Sequence, residues 1–352
     1  MKYKSCFLLE HGISINKNKI ESCCIVNKDN SGHPLLINNY NGERIDWQEL
    51  IKIKREAIKA QQKTGYPPCK NCLSLIENDW EQEDYITNIN FNHWSNCNSN
   101  CVYCSSVFHN SNTQYSILPW IKELIKLNLF KQGGDITFQG GEPTLLKEFD
   151  EIVELFLNLN TKIRVHSSGI LYSKSIEEGI KKGLLTVIIS PDSGEKRLYE
   201  KIKRVPCFEK VWKNIKTYKE TSKQVGSHLV CVKYIIIPGI NDSIKDLDNW
   251  FYMVKKSDVK NVMVNLEYLY AKYNKSNYSE HIFLLMDYIR DKAEKLGLNC
   301  EFIESCIEAE NLRKYKGMRY LLNFKPLYSG VMNIIKKRNK YKNIDYNDLS
   351  LF

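Results

Sequence analysis

The stretch Cys97-Asn98-Ser99-Asn100-Cys101-Val102-Tyr103-Cys104 places three cysteines at spacings of four and three residues. Cysteines that pack inside a helix or strand do not need this spacing, whereas a loop with it can wrap three thiolates around one corner of a metal cluster. A cubane iron–sulfur cluster takes four ligands, so three adjacent cysteines leave one iron open for chemistry. The stretch predicts a catalytic iron–sulfur site, with a structural zinc knuckle that lacks one ligand as the alternative.

Composition limits the class of protein. The chain has 352 residues, 43% of them hydrophobic, which suits one large domain or two to three small ones. No apolar run is long enough for a transmembrane helix, and the apolar part of the start is too short for a signal peptide. We therefore expect a cytoplasmic protein, in which thiols stay reduced and the twelve cysteines are metal ligands more than disulfides.

Strand and helix patterns alternate through the middle of the chain. Strands of period two, from 85–91 to 261–266, are separated by helical stripes such as 208–223. This alternation predicts a parallel sheet, and in α/β barrels the loops at the strand ends carry the active site. The cysteine stretch follows one strand, and the run Gly140-Gly141-Glu142-Pro143 follows the next. Adjacent glycines let a ligand approach the backbone, and a carboxylate beside them can accept hydrogen bonds from an ammonium group.

The two motifs together resemble those of the radical S-adenosylmethionine (radical SAM) superfamily. The resemblance covers about 86–305 and rests on the CxxxCxxC spacing and on Gly-Gly-Glu-Pro at the next strand end. It implies an α/β fold with a partial (β/α)6 TIM-type barrel at 83–305. A cysteine-rich metal-binding segment at 1–82 precedes the barrel, and a basic tail at 306–352 follows it. The implied cofactors are a [4Fe–4S] cluster and S-adenosylmethionine.

The resemblance also implies roles for individual residues. The ligands of the cluster are Cys97, Cys101 and Cys104. The residues expected to contact S-adenosylmethionine are Tyr103, Gly140, Gly141, Glu142, Ser168, Ser190, Asp192 and Arg204. Within this set, Glu142 is expected to meet the amino group of the methionine moiety and Arg204 its carboxylate. Ser168 and its neighbour Ser167 stand where relatives often have a Thr-Asn-Gly ribose contact.

Other polar side chains in the barrel segment have less specific patterns. Lys233 and Glu267 lie in or at the end of late strands, so they are candidates to handle a substrate proton if they face the barrel interior. His93 and His166 lie beside the motifs, and we expect packing or hydrogen-bonded histidines rather than ligands there.

The segment 1–82 has its own group of cysteines. Asp46 predicts the start of a helix, which ends before a Pro-Pro turn that leads directly into a CxxC pair. This order resembles part of the SPASM or twitch modules of radical SAM enzymes, although those modules usually follow the barrel. It implies a second, auxiliary [4Fe–4S] cluster, with a four-thiolate zinc site as the alternative. The expected ligands are Cys6, Cys23 (or Cys24), Cys69 and Cys72, with Cys300 and Cys306 in reserve.

The net charge of +10 is concentrated near the carboxyl end, because 311–342 holds ten Lys or Arg residues and no acidic residue. Tyrosines and one phenylalanine are interleaved with these charges. Three interpretations remain: a solvated helix that packs on the barrel, which is favoured, a nucleic-acid contact, and a basic amphipathic helix on a membrane surface.

These features predict an enzyme that makes a 5′-deoxyadenosyl radical and abstracts hydrogen from a peptide or a small molecule, including sugars. A reductant such as a flavodoxin or ferredoxin would supply the electron. Two alternatives remain: an activase that makes a glycyl radical on a partner protein, and a non-catalytic, zinc-stapled nucleic-acid binder.

Overall fold

The computed structural model describes residues 2–23, 35–40, 42–64, 69, 72, 75–80, 84–104, 115–267 and 280–302. The chain divides into two compact units. Unit 1 consists of Met1–Asn98, His109–Ser167 and Ser173–Val187. Unit 2 consists of Ser99–Phe108, Ser168–Tyr172 and Ile188–Phe352. The basic tail at 306–352, Cys24 and Cys306 lie outside the described residues.

Strands and helices alternate in both units, as the sequence predicts. The elements of unit 1 are β1 (Lys2–Ser5), α1 (Phe7–His11), β2 (Gly12–Asn16), β3 (Ile20–Glu21), β4 (Leu35–Ile37), α2 (Trp47–Thr64), β5 (Ile76–Asp79), β6 (Ile86–Asn92), α3 (Leu118–Lys126), β7 (Phe130–Phe138), α4 (Phe149–Asn158), β8 (Lys162–Ser167) and α5 (Lys174–Lys181). The boundary between the units falls within β9 (Leu185–Ile189). The elements of unit 2 are α6 (Lys196–Lys203), α7 (Phe208–Gln224), β10 (Val230–Ile236), α8 (Ile244–Lys256), β11 (Asn261–Leu266), α9 (Glu280–Lys295) and β12 (Asn299–Phe302).

The sheet of unit 1 is built on β2, β6, β7 and β8, which pair in parallel. Ile13, Ile89, Ile136 and Ile163 stand opposite one another in this register, and each is at most 1% exposed. β-branched side chains suit such a row, and burying each contributes about 1.5–3 kcal/mol. β3 and β4 continue the sheet as antiparallel strands beside β2.

The amino-terminal segment contributes strands to this sheet, which its cysteine pattern did not indicate. β2 pairs directly with β6, so the boundary expected at residue 82 does not coincide with a boundary between the compact units. The helix predicted after Asp46 is confirmed as α2, because the backbone N–H groups of Gln48 and Glu49 donate to Asp46 Oδ1 at 3.0 and 3.1 Å. This capping satisfies donors that the first helical turn leaves open.

Unit 2 repeats the strand-and-helix alternation. Its strands β10, β11 and β12 pair in parallel. Trp212 of α7 and Trp250 of α8 are buried in its core. The predicted α/β class with a mostly parallel sheet is confirmed, and no closed barrel is found in the described part of the chain. No helix among the described residues is long and apolar enough to cross a bilayer.

Candidate active site

The glycine turn of unit 1 lies directly against the backbone that leads into the cysteine stretch. Gly141 N donates to Trp94 O and Glu142 N donates to Asn96 O, each at 2.7 Å. A Cβ on Gly141 would lie 2.2 Å from Asn96 O, and Gly140 has a φ of +99°. Both positions therefore require glycine because two backbone segments approach closely, and not only because a ligand does.

Glu142 is held in one orientation by its neighbours. Its side chain is buried, with 1% of the residue exposed. Oε1 accepts hydrogen bonds from Thr144 Oγ1 at 2.7 Å and from Ser167 Oγ at 2.9 Å. The indole of Trp94 donates to the Glu142 carbonyl at 3.0 Å. The two hydroxyl donors fix the direction of the carboxylate, and a carboxylate can accept hydrogen bonds from an ammonium group.

Of the three cysteines of the motif, Cys97 belongs to unit 1, and Cys101 and Cys104 belong to unit 2. Cys97 is exposed and the other two are partly buried. Cys104 N donates to Cys101 O at 3.1 Å, which closes a tight turn between them. Burial raises the pKa of the Cys101 thiol, and the nearby Lys203 ammonium opposes that rise.

A buried polar network supports the second half of this loop. Lys203 Nζ lies 2.5 Å from Asp192 Oδ2 and 2.7 Å from the Tyr103 hydroxyl. That hydroxyl also donates to Asp192 Oδ2. The backbone N–H groups of Asn100 and Val102 donate to carbonyls at the end of α6, at 3.1 and 2.9 Å. Side-chain bonds at Tyr103 and backbone bonds at Asn100 and Val102 thus fix neighbouring residues of the loop.

The remaining expected cofactor contacts lie in unit 2 and differ in exposure. Ser168 Oγ accepts a hydrogen bond from Ile170 N at 3.3 Å. Ser190 is partly buried at the end of β9. Arg204 is exposed and has a left-handed φ of 54° just after α6. The basic residue that reaches into the unit is its neighbour Lys203, which is 4% exposed.

The two candidates for proton handling lie at different depths. Lys233 is partly buried in β10 and stands opposite Met263 of β11. Glu267 is 1% exposed, and its backbone N–H donates to Ile236 O at 2.9 Å. The catalytic roles of Lys233 and Glu267 stay predictions.

Two cysteines of the amino-terminal segment are packed among apolar side chains in unit 1. Cys6 and Cys69 form a buried cluster with Leu9 and Ile58, and Cys72 N donates to Cys69 O at 3.0 Å. Burial raises the pKa of Cys69 to about 12, and the neighbouring Cys6 and Cys72 add to the rise. These three cysteines are therefore close together, and Cys23 lies near enough to Lys54 to affect its pKa.

The thiols are available as ligands, because none of the described cysteines is in a disulfide. No set of three His, Cys, Asp or Glu side chains among the described residues is arranged around a single metal ion. A cubane cluster presents a different iron to each thiolate, so its ligands stand farther apart than those of one ion. Within unit 1, the backbone that leads into Cys97 is bonded to the turn of Glu142, and thiols together with such a carboxylate are the groups that would hold a cluster and a ligand that carries an ammonium group.

Comparison with known proteins matches part of the chain to a family. Residues 91–251 match the family model described as the radical SAM superfamily. The crystal structure of Streptococcus suis SuiB bound to S-adenosylmethionine shares this fold, with a TM-score of 0.50 at 14% identity over 73% of this chain and 55% of that chain. The segment 91–251 of this chain thus matches the domain of the radical SAM superfamily of enzymes. Such enzymes use a [4Fe–4S] cluster and S-adenosylmethionine and need an external reductant.

Two curated relatives carry the same name. A GTP 3′,8-cyclase of Clostridium botulinum is 31% identical over 169 residues, which are 46% of this chain and 50% of that protein. A GTP 3′,8-cyclase of Haemophilus influenzae is 25% identical over 175 residues, 48% of this chain and 50% of that protein. The chain spans about half the length of the curated relatives it matches. The auxiliary-cluster segment stays a prediction, because the family model does not reach 1–82.

Sequence reasoning missed Lys203, Thr144 and the contact of Ser167 with Glu142. A signal for Lys203 is present, since Tyr199, Ile202 and Lys203 fall at the helical spacing of a buried stripe. No comparable pattern marks Ser167, because its role depends on the pairing of β7 with β8.

Proposed function

We propose that the chain binds one [4Fe–4S] cluster through Cys97, Cys101 and Cys104 and uses it to cleave S-adenosylmethionine reductively. One observation carries the proposal: the backbone leading into Cys97 is joined to the turn of Glu142 by two hydrogen bonds of 2.7 Å. A thiolate ligand and a carboxylate that can bind an ammonium group are therefore tied to one backbone segment. The match of residues 91–251 to the radical SAM family model supports the same chemistry.

The bound cluster would supply one electron to the sulfonium of S-adenosylmethionine, which would yield methionine and a 5′-deoxyadenosyl radical that takes a hydrogen atom from the substrate. The role of the protein's own residues is to bind and orient S-adenosylmethionine and the substrate. Glu142, positioned by Thr144 and Ser167, would accept hydrogen bonds from the ammonium group of the methionine moiety. Ser168 and Ser190 are proposed ribose contacts, and Lys233 and Glu267 are proposed to handle a substrate proton. A flavodoxin or ferredoxin would be the reductant.

The proposed substrate is a peptide or a small molecule. A nucleotide is a second candidate, because the curated relatives that match at 31% and 25% identity are GTP 3′,8-cyclases. Anaerobic binding assays with GTP and with ATP as the matched control would separate these candidates. Tight binding of GTP alone supports the nucleotide, and equal weak binding of both favours another substrate.

The second proposed cofactor is an auxiliary cluster held by Cys6, Cys23, Cys69 and Cys72. Its support is the proximity of Cys6, Cys69 and Cys72: Cys72 raises the pKa of Cys6, and Cys6 and Cys72 both raise the pKa of Cys69. The burial of Cys6 and Cys69 favours a role in electron transfer or in holding this segment folded, since a closed site has no open iron.

The test of the proposed function is the formation of 5′-deoxyadenosine by anaerobically purified, reconstituted protein with dithionite and S-adenosylmethionine. We expect product from the wild type and none from the Cys97→Ala/Cys101→Ala/Cys104→Ala variant. Cys207→Ala is the matched control, because Cys207 is also partly exposed but lies at the start of α7. Product from the triple variant, or none from wild type that holds its iron and sulfide, would contradict the proposal. If 5′-deoxyadenosine accumulates only with a glycyl-radical partner protein, the activase alternative gains support.

A further inference from the structure

A buried triad of Tyr103, Lys203 and Asp192 lies beneath the second half of the cysteine loop in unit 2. The Lys203 and Asp192 side chains are 5% and 0% exposed, and their charged atoms lie 2.5 Å apart. Tyr103 bonds to both of them, with its hydroxyl oxygen 2.7 Å from Lys203 Nζ. Each polar group in the triad therefore has a partner, which a buried ion pair requires to persist.

Asp192 is fixed to the end of β10 rather than exposed to a ligand. Its Oδ1 accepts a hydrogen bond from Ile235 N at 2.8 Å, and its carbonyl accepts one from Asn241 Nδ2 at 3.0 Å. Its φ is 55°, a left-handed conformation that costs a non-glycine residue free energy. Several independent bonds therefore hold Asp192 in this conformation, so its carboxylate is an anchor of the loop.

The backbone of α6 holds the same loop from a second direction. Lys203 O accepts a hydrogen bond from Asn100 N at 3.1 Å, and Ile202 O accepts one from Val102 N at 2.9 Å. Val102 also packs with Ile202 and Ile237 in a small apolar cluster. Lys203 thus contacts the loop through both its carbonyl and its ammonium group, so a change of its side chain can leave the backbone contact in place.

The triad also places two opposite charges near the thiol of Cys101. The Lys203 ammonium and the Asp192 carboxylate are both bonded to the hydroxyl of Tyr103, which stands between Cys101 and Cys104 in the sequence. Both charges lie close enough to Cys101 to interact with it electrostatically. Inside a protein such charges are poorly screened, and nearby charge is one of the factors that set the potential of an iron–sulfur cluster.

We propose that Tyr103, Lys203 and Asp192 are positioning residues that fix the cysteine loop and set the reduction potential of the cluster bound there. This inference rests on the proposed function, because it concerns the cluster held by Cys101 and its two companions. Reduction adds an electron to the cluster, so a nearby positive charge favours the reduced state and a nearby negative charge opposes it. Lys203 and Asp192 therefore shift the reduction potential in opposite directions, and their two charges sum to about zero.

The test is a redox titration of the loop cluster, followed by electron paramagnetic resonance, in the full-length protein. Lys203→Met leaves Asp192 unbalanced, so we expect a more negative midpoint potential. Asp192→Asn leaves Lys203 unbalanced, so we expect a more positive one. The double variant should return toward the wild-type value. Lys219→Met is the matched control, because the Lys219 side chain is also buried (6% exposed) and pairs at 3.7 Å with Asp258, which is 57% exposed. The midpoint potential of the cluster in this variant should equal that of the wild type.

Shifts of the same sign in both single variants, or no shift in either, would overturn the inference. Loss of iron from the single variants with recovery in the double variant would support it, because charge balance is what the double variant restores. Loss of iron from all three would overturn it, since the triad would then serve folding alone. Iron and sulfide in the wild type decide the proposed function separately: a wild type without a cluster defeats that proposal, whereas unmoved potentials in loaded variants defeat only this inference.

Discussion

The two groups of cysteines differ in what surrounds them. Cys6 and Cys69 are packed against Leu9 and Ile58 with 8% and 6% of each cysteine exposed. Cys101 and Cys104 are partly buried, in a loop that hydrogen bonds and a buried ion pair hold in place. Apolar enclosure suits a closed site, whereas a rigid and accessible loop suits a cluster that must meet a second ligand.

Each group also has a buried lysine nearby, and the pKa values of the two lysines are shifted in opposite directions. Lys203 has a carboxylate at 2.5 Å, which raises its pKa against the effect of burial. Lys54 instead donates to the carbonyls of Leu9 and Gly12 at 2.7 and 2.8 Å, and burial lowers its pKa to about 7. The attraction of Asp192 thus outweighs burial at Lys203, whereas at Lys54 burial outweighs the attraction of Glu10.

The largest expected difference between the two groups of cysteines is in the iron that each holds. We expect the Cys97/Cys101/Cys104 alanine variant to retain about four irons per chain, in the auxiliary cluster, after reconstitution. A further variant with Cys6, Cys23, Cys69 and Cys72 also replaced should retain none. Iron and zinc are counted by mass spectrometry, with Cys207→Ala as the control. One zinc and no iron in the first variant would contradict the auxiliary cluster and leave the barrel chemistry untouched.

Acid should destabilise the segment that leads into the loop, because His93 is 1% exposed. Neither of its ring nitrogens has a hydrogen-bond partner among the described residues. Burial lowers its pKa from 6.5 to about 4. Between these values the unfolded state binds the extra proton, so stability falls as the pH drops from about 6.5 toward 4.

Urea unfolding at pH 7 and pH 5 measures this effect. The wild type should lose about 2 kcal/mol more than His93→Gln over that interval. His228→Gln, in an exposed position of unit 2, is the control and should lose as much as the wild type. Equal losses in the His93 variant and the wild type would show that His93 is not buried in its neutral form.

A substitution at the glycine turn tests whether Glu142 contributes to the binding of S-adenosylmethionine beside the cysteine loop motif. Glu142→Gln keeps the shape of the side chain but removes the charge that would face the ammonium group of S-adenosylmethionine. Charge-assisted hydrogen bonds of this kind contribute about 1.5–3 kcal/mol, so the affinity for S-adenosylmethionine should fall by about one to two orders of magnitude. Anaerobic calorimetry checks this, with the exposed Glu178→Gln as control. An unchanged affinity with the cluster intact would refute the role of Glu142.

Much of the fold could be predicted because local patterns determine it. The strand expected at 85–91 is confirmed as β6 at Ile86–Asn92, and the helix expected at 208–223 is confirmed as α7 at Phe208–Gln224. The pairing of β2 with β6 could not be predicted, since Gly12 and Asn88 are far apart in sequence and no local pattern records such a contact. Period and capping are local, whereas strand neighbours depend on the whole chain.

The candidate site shows the same division. The motif residues Cys97, Cys101, Cys104 and Glu142 follow from spacing alone, although their roles remain proposals. The residues that orient them do not. Ser167 reaches Glu142 only because β7 and β8 are adjacent. Likewise, Lys203 and not Arg204 is buried, because Lys203 continues the apolar stripe of α6 and Arg204 lies beyond its end in a left-handed turn.

The central claim is that the cluster of the cysteine loop has an open iron that binds S-adenosylmethionine. The most direct measurement is the electron paramagnetic resonance spectrum of the dithionite-reduced protein before and after S-adenosylmethionine is added. We predict that the wild-type spectrum changes on addition, and that any signal left in the Cys97/Cys101/Cys104 alanine variant does not. A wild-type cluster spectrum that stays the same at saturating S-adenosylmethionine would contradict the account.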